Sequence, residues 1–484
     1  MRRAAALLAL FAALTLFHTW PLAADITGLS RLDNDDTGLN VWIVAWVEHI
    51  LPRNPLALFD APMFYPEPHT LAYSEHLLVP ALIGAPLRAA GVSPVTTYNV
   101  LALLGLCLSG WTMSLVVQRW TGSTAGGVMA GMLFAFNAHL LTRFAHLQAL
   151  HAEFYPLALY AFDRVLGLGA WGVGPGASGR SASSASSAAS TPSAASATSA
   201  ASVSSAAPLW LSSAFILQSL CSNYALAFLA VALVAAAIVR APEWVGPGRG
   251  IRLRALLLAG IISVAVMAPF LWPYYEVSRS VGLVRSVDEV RQYSAGWLDY
   301  LTTGGRLHYT LWSHRVFEGR TALFPGITAV ALAILGLLRG RPVGDPRLRM
   351  TLAIGAVGLA LSFGPALPGY AWLHDHVPLL QGIRGAARWG FLLLLAVAIL
   401  AGYGTAALAR SWRGSPYLPA LLLALYAAVT LEAMRTPMGF APVEPVAPIY
   451  AQLADVPGAV LVELPMFAGR AVSENARYLV NATV

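Results

Sequence analysis

The sequence has no lysine, two cysteines and few charged side chains. All thirty basic residues are arginines, and only 11% of the 484 residues are charged, while 57% are hydrophobic. With a mean hydropathy of +0.64, the chain is too apolar for a soluble protein, whose surface must be wetted. Cys107 and Cys221 both lie in apolar runs, which indicates neither a disulfide framework nor a thiolate metal site. We expect the lipid bilayer as a partner, and no nucleic acid.

Long apolar segments are what the sequence does contain. A spanning helix needs about 20 apolar residues, and the chain has about eleven segments of spanning or near-spanning length. The first follows Met1-Arg2-Arg3 and is interpreted as an uncleaved helix, because no cleavage site of small residues is clear. The sequence therefore predicts an all-α polytopic membrane protein. The predicted spans are 1–20, 95–117, 123–138, 153–169, 208–221, 224–239, 254–272, 323–338, 350–365, 389–408 and 416–434.

Arginines are distributed unequally between the two sides that these spans create. One side holds fifteen arginines and three carboxylates, so it is predicted to be the cytoplasm. All eleven histidines fall on or near the other side. Together with the absence of lysine and the abundance of alanine, which is typical of a GC-rich bacterial genome, this predicts a multi-pass protein of the bacterial cytoplasmic membrane whose active face is periplasmic.

The connecting segments predict the organisation of the chain. The tract 172–207 consists mostly of Ser, Ala, Gly and Thr and is expected to be a disordered cytoplasmic linker. Residues 436–484 include a predicted strand at 458–464 but too little material for a domain core, so we expect the chain to be cut short. The predicted units are a first helix (1–24), an outer acidic loop with juxtamembrane helices (25–94), spans (95–171), the linker (172–207), spans with an outer loop at 273–322 (208–435), and an outer partial α/β segment (436–484).

An acidic patch lies just after the first span. Asp33, Asp35 and Asp36 fall within four residues, and such crowding favours a bound divalent cation or a carboxyl group with a raised pKa. The alternative is a solvated turn that caps the helix beginning near Leu39. No cofactor is certain from the sequence, and a divalent metal held by the three carboxylates is one expectation.

Several motifs resemble those of a family of bacterial multi-pass proteins. They include the acidic patch, Asn40-Val41-Trp42, Phe64-Tyr65-Pro66 and the run Leu71 to His76, followed by Phe136 to His139, Arg143 to Gln148 and Ile383 to Trp389. The family resembles GT-C-type glycosyltransferases, relatives of the dolichyl-phosphate-mannose and lipid-A aminoarabinose transferases. The resemblance covers most of the chain except the Ser/Ala linker. It implies a GT-C-like helical bundle with a large first outer loop.

The resemblance also implies a reaction. GT-C enzymes take a sugar from a polyprenyl-phosphate carrier at the outer leaflet, with a carboxylate of the first outer loop as general base. On this interpretation Asp36, or failing it Asp33, is the catalytic residue. The density of the patch leaves metal assistance open.

A phosphate leaving group requires cations on the same face. Arg384 and Arg388 lie one helical turn apart at the outer start of the 389–408 span and can share one anion, although boundary arginines also snorkel. Arg143, His146 and Glu153, with His151 between them, form a second polar group that we expect to bind substrate.

The sequence thus predicts an inverting membrane glycosyltransferase that moves a sugar from a polyprenyl-phosphate carrier to an acceptor. The alternatives are a non-enzymatic transporter or envelope assembly factor, and an inactive truncated copy. A transporter should carry ionisable residues deep within its spans, whereas here the charges concentrate at the boundaries.

Overall fold

A computed structural model gives the structure of the chain at residues 2–167, 194–246, 248–282, 284–340, 344–454, 456, 458–467 and 475–483. The described residues form an all-α membrane protein, as predicted. The α-helices are α1 Arg2–His18, α2 Asp35–Ile50, α3 Leu78–Ala89, α4 Pro94–Thr121, α5 Thr124–Ala135, α6 Ala138–Thr142, α7 Leu147–Leu150, α8 Phe154–Leu166, α9 Ala194–Ser219, α10 Asn223–Val239, α11 Ala241–Val245, α12 Arg249–Ser280, α13 Val287–Gln292, α14 Arg306–Leu311, α15 Ile327–Gly340, α16 Pro346–Ser362, α17 Tyr370–His376, α18 Pro378–Gln381, α19 Gly390–Ser411, α20 Leu418–Ala433, α21 Pro448–Ala454 and α22 Ala476–Asn481.

Short 3₁₀ helices connect several of these elements. They are Leu22–Ala24, Pro55–Ala57, Thr70–Tyr73, Trp297–Leu301, Ser313–Arg315, Gly364–Ala366 and Ala386–Trp389. Polar side chains begin the long helices by accepting a hydrogen bond from the first-turn backbone. Ser93 caps α4, Ser123 caps α5 and Ser222 caps α10 in this way. The Ala- and Leu-rich runs that follow have high helix propensity.

Each of the eleven predicted spans overlaps a helix. By length and hydropathy, four helical stretches of the described chain are long enough to cross a membrane: Pro94–Thr121, Thr124–Thr142, Arg249–Ser280 and Ala386–Ser411. The described part also contains shorter apolar helices, Leu78–Ala89, Asn223–Val239, Ile327–Gly340 and Leu418–Ala433. The chain is therefore a membrane protein, and the count of eleven spans stays a prediction.

One small sheet joins the first outer loop to the C-terminal segment. Strand β1 (Leu29–Ser30) pairs antiparallel with β2 (Ala441–Pro442), with Leu29 opposite Pro442 and Ser30 opposite Ala441. The strand predicted at 458–464 is wrong, because these residues form no ladder in the structure. An apolar alternating run becomes a strand only where a partner strand supplies its hydrogen bonds.

Two other boundaries differ from the prediction. Residues 172–193 of the expected linker lie outside the described residues, while α9 already begins at Ala194. Alanine has the highest helix propensity, which accounts for a helix in a Ser/Ala tract. Helix α12 continues to Ser280 through Pro269 and Pro273, so the loop expected from residue 273 starts later.

The helix ends collect in two groups. At the end that we call the Asp163 end, Asp163 accepts from Arg240 at 2.8 Å and from Arg347 at 2.9 Å. At the opposite end, which we call the Asp36 end, Asp36 meets His146 and Glu75 meets Ser222. The residues predicted to be cytoplasmic thus contact one another at one end, and those predicted to be outside meet at the other.

Candidate active site

A cavity of about 50 Å³ opens at the Asp36 end of the bundle. We call it the site cavity. Small-ligand pockets usually measure about 300–1,000 Å³, so this cavity encloses only part of a substrate, and the rest of the substrate lies outside it. Helices α6, α7, α8, α10 and α19 and the connections between them supply its wall: His139, Leu140, Arg143, His146, Gln148, Ala149, His151, Ala152, Tyr155, Ser222, Tyr224, Ala225, Phe228, Arg388 and Phe391.

Two guanidinium groups line the site cavity. Arg143 follows α6, and Arg388 lies in the 3₁₀ turn before α19, where its Cζ sits 4.6 Å from the ring centre of Tyr224. Among the described residues, neither side chain forms an ion pair or hydrogen bond with a protein acceptor. Burial, followed by the charge of Arg388, lowers the pKa of Arg143. Two cations that face one cavity without an anionic partner favour the binding of an anion.

Asp36 and His146 form a hydrogen-bonded pair at the rim of the cavity, and burial lowers the pKa of His146, so the imidazole is neutral near neutral pH. The Oδ2 atom of Asp36 lies 3.1 Å from Nε2 of His146, and the aspartate side chain is 52% exposed. The hydrogen bond from His146 is the largest cause that lowers the pKa of Asp36, and the charges of Arg388 and Arg143 act in the same direction. Asp36 therefore stays ionised near neutral pH and keeps an oxygen open to solvent.

Helix α2 and the connection after α6 hold this pair in place. Asn34 caps α2 by accepting from the backbone N–H of Asp36, which orients the first turn. Asn40 Nδ2 then donates to the carbonyl oxygens of Asp36 and Ala145, at 2.6 and 3.4 Å. The same connection is fixed from α4, because the Tyr98 hydroxyl donates to the Phe144 carbonyl at 3.0 Å.

His151 and Glu153 form a buried pair behind the cavity wall. His151 Nδ1 lies 2.9 Å from Glu153 Oε1, and the two side chains are 0% and 3% exposed. The amide of Gln218 donates to the His151 carbonyl at 2.8 Å and keeps the residue in place. His151 lines the cavity, whereas Glu153 does not. The structure thus places Glu153 as a support for His151 and not in the wall where substrate binding was expected.

The Glu75 side chain is hydrogen-bonded to the start of α10. Its carboxylate accepts from Ser222 Oγ at 3.1 Å and from the backbone N–H of Asn223 at 2.6 Å. A carboxylate at a helix N-terminus also interacts favourably with the helix dipole. Burial raises the pKa of Glu75. Tyr224 follows Asn223 in α10, and its hydroxyl accepts from the backbone N–H of Gly385 at 3.3 Å. The start of α10 therefore connects Glu75 of the first outer loop to the turn that carries Arg388.

Several predicted site residues do not line the cavity. Asp33 pairs with Arg31 at 2.9 Å, and its side chain is 47% exposed. Asp35 is the first residue of α2 and takes part in neither the Asp33–Arg31 nor the Asp36–His146 contact. In the part of the chain that the structure describes, no group of three His, Cys, Asp or Glu side chains is close enough to hold a metal ion. The described residues therefore give no support to the metal site expected at Asp33, Asp35 and Asp36, since Asp33 pairs with Arg31 and Asp36 with His146.

Arg384 and Arg388, which were predicted to share one anion, contact different side chains. Arg384 places its Cζ 4.8 Å from the ring centre of Tyr293, while Arg388 stacks on Tyr224. The helix starts only at Gly390, after a 3₁₀ turn from Ala386, so the two arginines do not share the helical face that their spacing suggested. Of this pair, only Arg388 lines the site cavity.

The sequence reasoning assigned no role to His139, Gln148 or Tyr224. His139 and Gln148 nevertheless stand inside the motifs Phe136 to His139 and Arg143 to Gln148, which carried the family resemblance. Their polarity next to a predicted span boundary was a usable signal. Tyr224 lies in an apolar helix, and nothing in its local pattern distinguishes it from a core aromatic residue.

Comparison with known proteins finds a likeness among solved structures. No protein-family model matches the sequence, and no curated protein matches it. Among solved structures, the chain is similar to the archaeal oligosaccharyltransferase AglB from Archaeoglobus fulgidus, solved with an inhibitory peptide and a dolichol-phosphate. The two share 14% sequence identity with a TM-score of 0.48, and the match covers 94% of this chain and 58% of AglB. The chain thus spans a little over half the length of that protein.

Proposed function

We propose that the chain is a membrane glycosyltransferase of GT-C type, which moves a sugar from a polyprenyl-phosphate carrier to an acceptor at the outer face of the membrane. One observation carries the proposal: Arg143 and Arg388, without an anionic partner among the described residues, line a cavity whose rim holds the ionised Asp36. The resemblance of the acidic first loop and its following motifs to GT-C-type proteins supports the same reaction.

The proposed reaction is a single displacement at the anomeric carbon. The acceptor oxygen attacks C1 of the sugar, the bond from C1 to the phosphate oxygen breaks, and the polyprenyl phosphate leaves with its bonding electrons. Negative charge grows on the phosphate during this step, and Arg143 and Arg388 stabilise it with charge-assisted hydrogen bonds. Because the attack and the departure occur on opposite faces of the ring, the anomeric configuration is inverted.

Asp36 is the proposed general base. Its carboxylate takes the proton from the acceptor hydroxyl as the new bond forms. The neighbouring His146 donates to the other oxygen and holds the carboxylate ionised and oriented. Asp36 contacts His146, which lines the cavity, so the proposed base lies next to the proposed donor site.

Binding of the carrier tests the arginine pair directly. Replacing Arg143 or Arg388 by Gln removes one charge-assisted contact and should weaken binding of polyprenyl phosphate by about 1.5–3 kcal/mol, roughly tenfold or more. The measurement is an equilibrium titration of the full chain in nanodiscs with sugar-free polyprenyl phosphate. Thermal unfolding of each variant reports whether the fold is retained.

Arg384→Gln is the matched control, because its guanidinium stacks on Tyr293 outside the cavity. We expect this variant to bind polyprenyl phosphate as the wild type does. If Arg143→Gln and Arg388→Gln are both folded and bind the lipid with unchanged affinity, these arginines do not form the phosphate site. The non-enzymatic alternative is then favoured over the glycosyltransferase.

A further inference from the structure

The inner wall of the site cavity carries polar atoms that no protein group satisfies. Within the described residues, four side chains that line the cavity each contain one buried atom without a hydrogen-bond partner: His139 Nδ1, His146 Nδ1, Gln148 Oε1 and His151 Nε2. His139 is 3% exposed and His151 is 0% exposed. A buried polar atom left unpaired is costly, so such a cluster around one cavity indicates a polar ligand whose hydrogen-bonding groups reach these atoms.

The hydrogen-bonding character of these atoms can be derived from their neighbours. His151 turns Nδ1 toward the Glu153 carboxylate, so Nδ1 carries the proton and Nε2 is left as an acceptor. His146 likewise turns Nε2 toward Asp36, which leaves Nδ1 as an acceptor. Gln148 Oε1 is an acceptor by its chemistry. A ligand that satisfies this wall must therefore bring several donors.

Hydroxyl groups and ammonium groups both donate, and the charge of the cavity separates them. No Asp or Glu side chain lines the cavity, whereas two guanidinium groups do. An ammonium group inside would face two like charges in the wall, and the neighbouring carboxylate, Asp36, lies outside the lining and is already hydrogen-bonded to His146, so the charge balance inside is unfavourable. Uncharged hydroxyl groups meet no such penalty.

The remaining wall is aromatic. Tyr155 and Phe391 approach each other with ring centres 5.3 Å apart, and Phe228 lines the same cavity. The Tyr155 hydroxyl already donates to the Ala225 carbonyl at 3.2 Å, so this side chain offers its ring and not its polar end. Aromatic faces beside hydrogen-bond acceptors suit a sugar ring, which is apolar on its C–H faces and polar along its edge.

We propose that His139, Gln148 and His151 form the subsite for the donor sugar, and that this subsite takes an uncharged sugar with free hydroxyl groups and not an amino sugar. The inference rests on the proposed function, because it places the phosphate at Arg143 and Arg388. It extends that function by naming the sugar class, which the motifs left open between neutral and amino sugars.

Three lipids distinguish the sugar subsite from the phosphate site. The full chain in nanodiscs is titrated with sugar-free polyprenyl phosphate, with a polyprenyl-phosphate hexose, and with the same lipid carrying an amino sugar. The wild type should bind the hexose lipid about two- to tenfold more tightly than the sugar-free lipid, the gain expected from net hydrogen bonds. The amino-sugar lipid should bind no more tightly than the sugar-free lipid.

Variants of Gln148 test whether the preference for the hexose lipid comes from the polar side chains that line the site cavity. Gln148→Leu keeps the size of the side chain and removes the acceptor, so it should lose the preference for the hexose lipid and keep its affinity for the sugar-free lipid. Gln148→Glu adds a carboxylate to the wall and should shift the preference toward the amino-sugar lipid. Gln118→Leu is the matched control, since Gln118 lies at the far end of α4, where its amide donates to Thr124 at 2.7 Å.

The outcomes are separable. If the wild type binds sugar-free and hexose lipids equally, or prefers the amino-sugar lipid, the subsite proposal is overturned while the phosphate site stands. Equal loss of all three lipids in Gln148→Leu also overturns it, because the side chain would then act on the fold or on the phosphate. If no polyprenyl phosphate binds at all, the proposed function fails, and the subsite with it.

Discussion

At the scale of single residues, neighbouring side chains of the same type have different roles because their partners differ. Asp33 and Asp36 are three positions apart, yet the first pairs with Arg31 and the second with His146 at the cavity. The hydrogen bond from His146 lowers the pKa of Asp36 and keeps its carboxylate charged at the place where a base is needed. A pattern of three carboxylates did not contain this difference.

Glu48 shows the opposite effect of burial. It lies in α2, its side chain is 4% exposed, and its oxygens accept no hydrogen bond from any described residue, although Arg88 Nε approaches to 3.6 Å. Burial raises the pKa of Glu48 from 4.5 to about 7. A carboxyl group with a raised pKa favours the folded state at low pH, and that contribution is lost as pH rises from about 4.5 to about 7.

Glu48→Gln should therefore stabilise the protein only at higher pH. At pH 4.5 the wild type and the variant should unfold at nearly the same temperature, while at pH 8 the variant should unfold at the higher temperature. The measurement is the unfolding temperature of the purified chain in detergent at both values. Glu67→Gln, a change of an exposed carboxylate in the same outer loop, serves as the control. An equal difference between Glu48→Gln and the wild type at both pH values would refute the assignment.

Part of the site was predictable residue by residue. Arg143, His146 and Arg388 were predicted from charge and position near span boundaries, and Asp36 from the family resemblance as well; the structure brings them together. The prediction that Arg384 shares a face with Arg388 was wrong. A spacing of four residues defines a shared face only within an α-helix, and this stretch is not α-helical. The path of a connection depends on tertiary contacts that a local pattern does not contain.

At the scale of the elements, small residues let the central helices touch. A Cβ atom added at Gly404 of α19 would lie 1.9 Å from the Leu332 carbonyl oxygen of α15, and one at Gly336 would lie 2.1 Å from the Leu400 carbonyl oxygen. Membrane helices associate through such close backbone approaches. The packing of α19 therefore depends on positions where only glycine fits.

Gly404→Ala should destabilise the protein by about 1–3 kcal/mol, since the added methyl group overpacks the contact between α15 and α19. Gly260→Ala, in the exposed middle of α12 where an added Cβ meets nothing within 4 Å, should be neutral or slightly stabilising. Unfolding in mixed detergent micelles measures both. Equal stability of the two variants would contradict this account of the helix contact.

The elements themselves followed from hydropathy more closely than their ends did. Each predicted apolar segment overlaps a helix, because a long apolar run in a membrane can satisfy its backbone only by forming one. Hydropathy did not predict where α9 starts or how far α12 extends. It also led to a predicted strand at 458–464 that the structure does not contain. Those features depend on partners and propensities that hydropathy does not report.

At the scale of the whole molecule, the two ends of the bundle are built differently. Acidic and basic side chains neutralise one another at the Asp163 end, where Asp163 lies between Arg240 and Arg347. At the Asp36 end, two arginines have no anionic partner among the described residues, and they lie near the Asp36–His146 and His151–Glu153 pairs. The ion pairs at the Asp163 end hold helices together. The Asp36 end has an excess of positive charge in the cavity, as expected for a site that binds an anionic substrate.

Turnover of the carrier lipid tests the central claim most directly. The full-length protein, in membranes that supply the acceptor, is given labelled polyprenyl-phosphate sugar, and the release of polyprenyl phosphate is followed. Asp36→Asn keeps the shape of the side chain and removes the proton acceptor, so turnover should fall by roughly 10²–10⁴-fold with donor binding nearly unchanged. Asp35→Asn, the neighbouring change, should retain nearly the wild-type rate. Full turnover by Asp36→Asn would contradict the account.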